Sequence, residues 1–159
     1  MKLERPLFTL VVILALFAAG HTAAAQSADL KMLDRVAACA GKMIGNGAAD
    51  FSNGDERALD DAAELAYAGY GGFVFSHKFS EADLKLADTI MQSNVDGIIA
   101  LFNADTFDAD GYEDLLKCNR LVATTILKQS DVIREKAQIL SSIRIPALER
   151  LKRLLNATK

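Results

Sequence analysis

The chain has 159 residues, of which 51% are hydrophobic, 25% charged and 7% aromatic, with two cysteines and no tryptophan. The apolar fraction excludes a disordered chain, and the charged fraction excludes a protein with several membrane spans. Two cysteines are too few for a disulfide-rich miniprotein or a four-cysteine zinc site, so we expect one folded domain.

The N-terminal 25 residues have the pattern of a secretory signal peptide. Lys2 and Arg5 precede an apolar run from Leu7 to Ala19, and a stretch of small residues ends at Ala25. This apolar run is shorter than the roughly 20 residues that a membrane-spanning helix needs. We therefore predict cleavage after Ala25 and a periplasmic or secreted protein; the alternative is a retained N-terminal anchor.

Export determines how Cys39 and Cys118 are interpreted, because two cysteines in an oxidising compartment are expected to form one disulfide. The competing interpretation is a reactive thiol. Neither cysteine belongs to a C-x-x-C motif, and a single histidine remains after residue 25 to activate a thiol. We therefore predict a structural disulfide between Cys39 and Cys118.

Helical periodicity dominates the first half of the mature chain. Apolar residues recur at three- and four-residue steps from Ser27 to about Ile44, which predicts an amphipathic helix. Glycines in Gly45-Asn46-Gly47 are predicted to end it. A second helix is expected to begin near Asp55–Glu56 and to end in Gly69-Tyr70-Gly71-Gly72, since glycine disfavours a helix.

Ser80 and Asp83 resemble a capping box, which predicts a third helix from about Glu81 to Phe102. Gly97 within it indicates a close approach of a neighbouring helix. A fourth helix is predicted to begin near Glu113, with an apolar stripe that continues to Leu140.

A break or a kink is predicted at Ile145-Pro146, because proline disfavours helical geometry in the residue before it. Pro146 then begins a basic amphipathic helix within residues 144–159. No strand pattern is present. The predicted fold is an all-α bundle of four to five helices, with residues 26–143 as its body and one disulfide between helix one and helix four.

Charge is distributed unevenly. Residues 49–114 contain 15 acidic and three basic side chains, whereas residues 115–159 contain ten basic and three acidic ones. One interpretation is that the basic C-terminal helix packs beside the acidic middle of the chain, so that the electrostatic fields of the two segments largely cancel. The other is that it faces a membrane surface or an anionic polymer, with these basic residues as contacts: Arg144, Arg150, Lys152 and Arg153. Export and the net negative charge argue against nucleic acid.

The sequence contains little that indicates catalysis or a cofactor. Residues 106–111 resemble part of a calcium loop, but Lys117 stands where the bidentate glutamate should be. His77 is interpreted as a surface or packing residue. Asp60 and Glu64 have the spacing of a solvated acidic helix face rather than of catalytic carboxylates. We expect no metal, no cofactor and no enzymatic activity.

The segment from Tyr67 to Phe79 is unusual for a helical bundle because it concentrates aromatic residues, glycines and the histidine. Exposed aromatic rings would form a recognition surface, and buried ones would belong to the core. Its candidate partner-binding residues are Tyr67, Tyr70, Phe73, Phe75, His77 and Phe79.

The two cysteine neighbourhoods, Val36-Ala37-Ala38-Cys39 and Asp114-Leu115-Leu116-Lys117-Cys118, resemble those of exported helical immunity proteins that neutralise type VI secretion amidase effectors. The resemblance covers residues 30–125 and rests on cysteine spacing. The chain after Cys118 and the glycine-aromatic segment from Tyr67 to Phe79 depart from that outline, so no functional residue is transferred. The resemblance implies an exported, non-catalytic module of inhibitor or immunity type that binds another protein. The alternative is a structural or stress-related envelope protein that self-associates through residues 115–155.

Overall fold

The structure is a computed structural model that describes the backbone of residues 5–157 and the side chains of residues 26–157. The chain divides into two compact units, Met1–Met32 and Leu33–Lys159, and the features discussed below belong to the second. The predicted signal peptide, residues 1–25, lies outside the residues with described side chains, so cleavage after Ala25 stays a prediction.

Six helices and no strands occur within residues 5–157, which confirms the predicted all-α fold. A disulfide joins Cys39 in the first helix to Cys118 in the fourth, as predicted. The helices are α1 (Arg5–Ser52), α2 (Ala58–Ser76), α3 (Glu81–Asn103), α4 (Ala109–Lys128), α5 (Ser130–Glu135) and α6 (Ala137–Ala157).

Residues 33–52 of α1 form the centre of the second unit. Their buried side chains cover more than one face of the helix, as expected for a helix with neighbours on several sides. The buried apolar residues are Leu33, Val36, Ala37, Ala40, Met43, Ile44, Ala48 and Ala49.

The predicted end of the first helix at Gly45-Asn46-Gly47 is wrong, because α1 continues to Ser52. These glycines allow close packing instead. A Cβ atom on Gly45 would lie 2.7 Å from the Cβ of Ile98 and 2.9 Å from the carbonyl oxygen of Val95 in α3. The packing that this approach permits outweighs the roughly 1 kcal/mol of helix propensity that glycine loses relative to alanine.

The predicted end of the second helix in the glycine-rich segment is wrong for the same reason. Helix α2 continues to Ser76, and its glycines contact the helices that follow α3 in the chain. A Cβ on Gly69 would lie 2.7 Å from Val122 of α4, and one on Gly72 would lie 2.7 Å from Ile133 of α5. Gly71 contacts Leu140 of α6.

Helix α3 begins where the sequence predicted, and its capping box is confirmed. The Ser80 side chain accepts a hydrogen bond from the Asp83 backbone N–H, and the Asp83 carboxylate accepts one from the Ser80 backbone N–H. The interpretation of Gly97 is wrong, because a Cβ there would have no atom within 4 Å. Gly97 lies on the exposed side of α3.

The predicted long fourth helix is interrupted at Gln129 and Lys136, which separate α4, α5 and α6. The interruption turns the chain back onto α2. Of the predicted break or kink at Pro146, the break does not occur, because α6 continues through the proline. Pro146 is exposed, whereas Leu140 and Leu155 on either side of it along α6 are buried, so packing supports the helix across the proline.

Two contacts establish that α2 and α4 run parallel. Gly69 contacts Val122, and Ser76 Oγ donates a hydrogen bond to Gln129 Oε1 at 2.6 Å, seven residues further along both helices. Helix α6 runs antiparallel to α2, since its start contacts Gly71 and its later residue Lys152 binds Asp60.

Helix α3 runs parallel to α1, because Gly41 contacts Met91 and Gly45 contacts Val95. Helix α4 runs antiparallel to α1, because Cys39 bonds to Cys118 and the later residue Lys42 pairs with the earlier residue Asp114. Helices α1, α3 and α6 therefore share one direction, and α2 and α4 the other. Within residues 26–157, no helix combines the length and the apolar character needed to cross a bilayer.

Candidate binding groove

A groove of about 870 Å³ lies between α2, α3 and α6, with the buried Ile44 of α1 among the residues that line it. Aliphatic and aromatic side chains dominate its walls. The apolar lining residues with large side chains are Tyr67, Tyr70, Val74 and Phe75 from α2, Leu84, Met91 and Val95 from α3, and Leu140, Ile143, Leu148, Leu151 and Leu154 from α6.

Helix α6 forms one wall of the groove because it carries apolar side chains on two neighbouring faces. Leu140 and Leu155 are buried. Ile143 also lines the groove, yet its side chain remains 51% exposed. Burying apolar surface contributes about 25 cal/mol per Å², so an open apolar wall of this kind favours the binding of another apolar surface.

A tyrosine–aspartate hydrogen bond connects two walls of the groove. The Tyr70 hydroxyl donates to Asp88 Oδ1 at 2.8 Å. Burial, followed by the hydrogen bond to Asp88, raises the pKa of Tyr70. Burial and the charge of Asp88 also raise the pKa of Tyr67. Both shifts favour the neutral phenol, and the Tyr70 hydroxyl acts as a hydrogen-bond donor.

The two rims of the groove carry opposite charges. On the α3 rim, Asp88 and Asp96 line the groove, and Gln92 Nε2 donates to Asp96 Oδ1 at 2.9 Å. On the α6 rim, Arg150 lines the groove and forms no ion pair with the described residues. The groove therefore has an acidic side and a basic side that face a common apolar surface.

The structure divides the predicted partner-binding segment into two groups. Tyr67, Tyr70 and Phe75 line the groove, although most of the Tyr70 side chain is buried. Phe73 is buried and lies with His77 and Phe79 in a ring cluster away from the groove lining.

His77 lies in this ring cluster. Its ring centroid lies 4.2 Å from that of Phe73 and 5.8 Å from that of Phe79. Its Nδ1 atom lies within hydrogen-bonding distance of the Phe73 carbonyl oxygen, at 2.9 Å. These contacts give His77 a packing role at the C-terminal end of α2.

The acidic middle and the basic C-terminal region meet between α2 and α6. Lys152 pairs with Asp60 at 2.8 Å, and Arg144 pairs with Glu64 at 3.0 Å. The prediction that the basic C-terminal helix packs beside the acidic middle therefore holds for Arg144 and Lys152, two of the four basic residues considered in that region. Asp60 and Glu64 face α6 and its cations rather than a catalytic cleft.

The segment that resembles a calcium loop begins α4. Asp108 is the N-cap residue, and its side chain accepts a hydrogen bond from the Gly111 backbone N–H at 3.0 Å. A carboxylate at this position accepts a hydrogen bond from a free backbone N–H, and its negative charge interacts favourably with the positive N-terminal end of the helix dipole. Among the described side chains, no group of three or more His, Cys, Asp or Glu residues is placed to hold a metal ion.

The contributions of α3 and α6 to the groove were not predicted from the sequence. One signal is present in α6: Ile143, Ala147, Leu151 and Leu154 recur at steps of four, four and three residues, and all four line the groove. Recognising this stripe requires knowing that α6 is continuous through Pro146.

Comparisons with protein-family models, with curated proteins and with solved structures found no match for this chain. The resemblance to exported immunity proteins therefore stays a prediction. The groove and its charged rims are the observations on which a function is proposed.

Proposed function

We propose that this protein is an exported, non-catalytic binding module of inhibitor or immunity type, which holds an amphipathic helix of a partner protein in the groove. The observation that carries the proposal is the open apolar surface shared by α2, α3 and α6. Helix-in-groove recognition uses such a surface to bury the apolar face of one helix.

The dimensions of the groove favour a short helix as its occupant. On α3 the groove extends from Leu84 to Asp96, which is about 18 Å at 1.5 Å per residue. A helix about 10 Å thick would occupy about 1,400 Å³ over that length, more than the volume of the groove. The groove therefore accommodates the apolar face of a helix of three to four turns and leaves its polar face in solvent.

The groups that line the groove favour binding over catalysis. Asp88 is engaged by the Tyr70 hydroxyl, and the phenols are held neutral by burial. The Tyr70 hydroxyl lies within hydrogen-bonding distance of the Asp88 carboxylate, but burial raises the pKa of Tyr70 and so disfavours the phenolate that a nucleophile would need.

A second candidate function is self-association, in which the occupant is another copy of this chain. It is favoured by the presence of acidic and basic residues on one groove, because a two-fold axis allows Arg150 of each copy to pair with the acidic rim of the other. Sedimentation velocity over a hundredfold concentration range distinguishes it from binding to a different protein.

Site-specific photo-crosslinking in the producing cell tests the proposal. A benzophenone amino acid replaces Ile143 in the groove, and in a matched control it replaces Leu116 on α4. The two side chains have similar exposure, 51% and 56%, but only Ile143 lines the groove. We expect position 143 to crosslink one envelope or secreted protein, through a peptide that forms an amphipathic helix, and position 116 to give no such adduct.

Equal adducts from both positions would overturn the proposal, and so would the absence of an adduct at position 143. An adduct at position 143 between two copies of this chain would overturn it in favour of self-association. Repeating the experiment with Phe75 replaced gives an independent site on the α2 wall.

A further inference from the structure

We propose that the groove selects a helix with two oppositely charged flanks, one basic flank toward α3 and one acidic flank toward α6. This inference rests on the proposed function and specifies the chemistry of the partner. It follows from the positions of three charged groups at the rims of the groove: Asp88, Asp96 and Arg150.

The α3 rim has two carboxylates, Asp88 and Asp96, that can each accept further hydrogen bonds. Asp88 accepts a hydrogen bond from Tyr70 at Oδ1, and Asp96 accepts one from Gln92 at Oδ1. Among the described residues, the Oδ2 atom of each carboxylate has no hydrogen-bond partner. The Tyr70 and Gln92 contacts orient the carboxylates, so less side-chain entropy is lost when a cation binds.

Spacing along α3 defines the spacing expected in the partner. Asp88 and Asp96 are eight residues apart, which is about 12 Å along a helix axis. A bound helix that lies along α3 would match them with lysines or arginines seven or eight residues apart on one flank. Lys85, the cation nearest in sequence to Asp88, does not line the groove.

Among the described residues that line the groove, α6 contributes one cation, Arg150. Arg144 is engaged by Glu64 at 3.0 Å, whereas Arg150 lines the groove and pairs with none of the described carboxylates. A glutamate or aspartate on the opposite flank of the bound helix would complement it. With two carboxylates against one guanidinium, the groove disfavours anionic lipid headgroups as occupants.

The charged and the apolar side chains that line the groove contribute differently to binding. Rim charges contribute mainly to association rate and partner choice, whereas apolar burial contributes most of the affinity. We therefore expect the charge pattern to decide which helices bind, with an effect that weakens as the salt concentration rises.

A peptide selection with the full-length oxidised protein tests this inference without knowledge of the natural partner. The probe is a displayed library of 18-residue helical peptides with a constant leucine and phenylalanine stripe and with Lys, Glu or Gln varied at the flanking positions. We expect enrichment of lysines seven or eight residues apart on one flank and of glutamate on the other. The preference on the first flank should reverse toward glutamate when the selection is repeated with Asp88→Lys/Asp96→Lys.

The affinity of one enriched peptide is then measured at 50 mM and 500 mM NaCl. We expect Asp88→Asn/Asp96→Asn to weaken binding about tenfold at 50 mM, with a smaller effect at 500 mM. Asp110→Asn, an exposed carboxylate on α4 outside the groove, serves as the matched control and should leave binding unchanged.

The outcomes separate this inference from the proposed function. Selected peptides that bind wild type but not Ile143→Asp, with no charge preference on either flank, would overturn the inference and leave the groove as the binding site. Peptides that bind wild type and Ile143→Asp equally would overturn the proposed function as well.

Discussion

Lys152 in α6 contacts both carboxylate oxygens of Asp60 in α2, at 2.8 and 3.0 Å, although the two residues are 92 positions apart in the chain. The lysine side chain is only 23% exposed, so this pair is less screened by solvent than a typical surface pair. It joins the acidic middle of the chain to its basic C-terminal region.

A double-mutant cycle with Asp60→Ala and Lys152→Ala is expected to give a coupling energy of about 0.5–1 kcal/mol, because the partly buried pair loses less to solvent screening. Urea unfolding at low and high salt measures it. The exposed pair Glu113–Lys117 on α4 is the control, and its coupling should be the smaller of the two. Equal coupling for both pairs would contradict the structural role assigned to Lys152.

Removal of the disulfide is expected to destabilise the fold strongly. Cys39 and Cys118 are 79 positions apart, and closing a loop of that size removes about 4.5 kcal/mol of unfolded-state entropy. We expect Cys39→Ser/Cys118→Ser to lower the free energy of unfolding by about 3–4 kcal/mol, measured by urea denaturation. A reducing agent should destabilise wild type by a similar amount and leave the double variant unchanged.

Two glycine-to-alanine substitutions are expected to have opposite effects. Gly45→Ala places a methyl group 2.9 Å from the Val95 carbonyl oxygen and should destabilise the protein by about 1–3 kcal/mol. Gly97→Ala adds a methyl group where no atom lies within 4 Å, so the gain in helix propensity should stabilise it by about 0.5–1 kcal/mol. Thermal unfolding measures both changes. Similar effects at the two positions would contradict the close packing of α1 on α3.

Stability is expected to fall at alkaline pH because of Tyr70. Its pKa is raised in the folded protein by burial and by the hydrogen bond to Asp88. The folded state therefore holds the phenolic proton more tightly than the unfolded state, whose tyrosine pKa is about 10. This contribution is complete below about pH 10 and is lost as the pH rises further.

Tyr70→Phe tests this assignment. The variant should be less stable than wild type by about 1 kcal/mol at pH 7, because it lacks the hydrogen bond to Asp88. Between pH 9 and 11 its free energy of unfolding should decline less steeply than that of wild type, as measured by urea denaturation. The residual decline would include the contribution of Tyr67, whose pKa is also raised. Parallel pH profiles would contradict the assignment.

Local sequence features predicted the parts of the fold that depend on neighbouring residues. The capping box of Ser80 and Asp83 involves residues three positions apart, so the sequence contains all of its chemistry. The all-α fold follows from apolar residues at helical spacing. The disulfide was predictable because two cysteines have only one intramolecular pairing.

The predictions at glycines and proline failed because their outcome depends on contacts with distant segments. Propensity alone disfavours a helix at Gly45 or across Pro146. Propensity could not show that Gly45 meets α3, or that buried leucines on both sides of Pro146 hold α6 on the bundle. Gly97 is the opposite case. A close neighbour was predicted there and none is present, because a glycine in a helical pattern does not show which segment, if any, it faces.

The sequence by itself determined that this chain forms helices, where one of them begins, and which cysteines pair. Only the tertiary structure decided that α2, α3 and α6 enclose an open apolar groove, and which charged side chains lie at its rims. The physical reason is that helical periodicity identifies apolar faces but not their neighbours. A helix with apolar side chains on two faces can bury one and leave the other open, and the packing of the whole chain determines which.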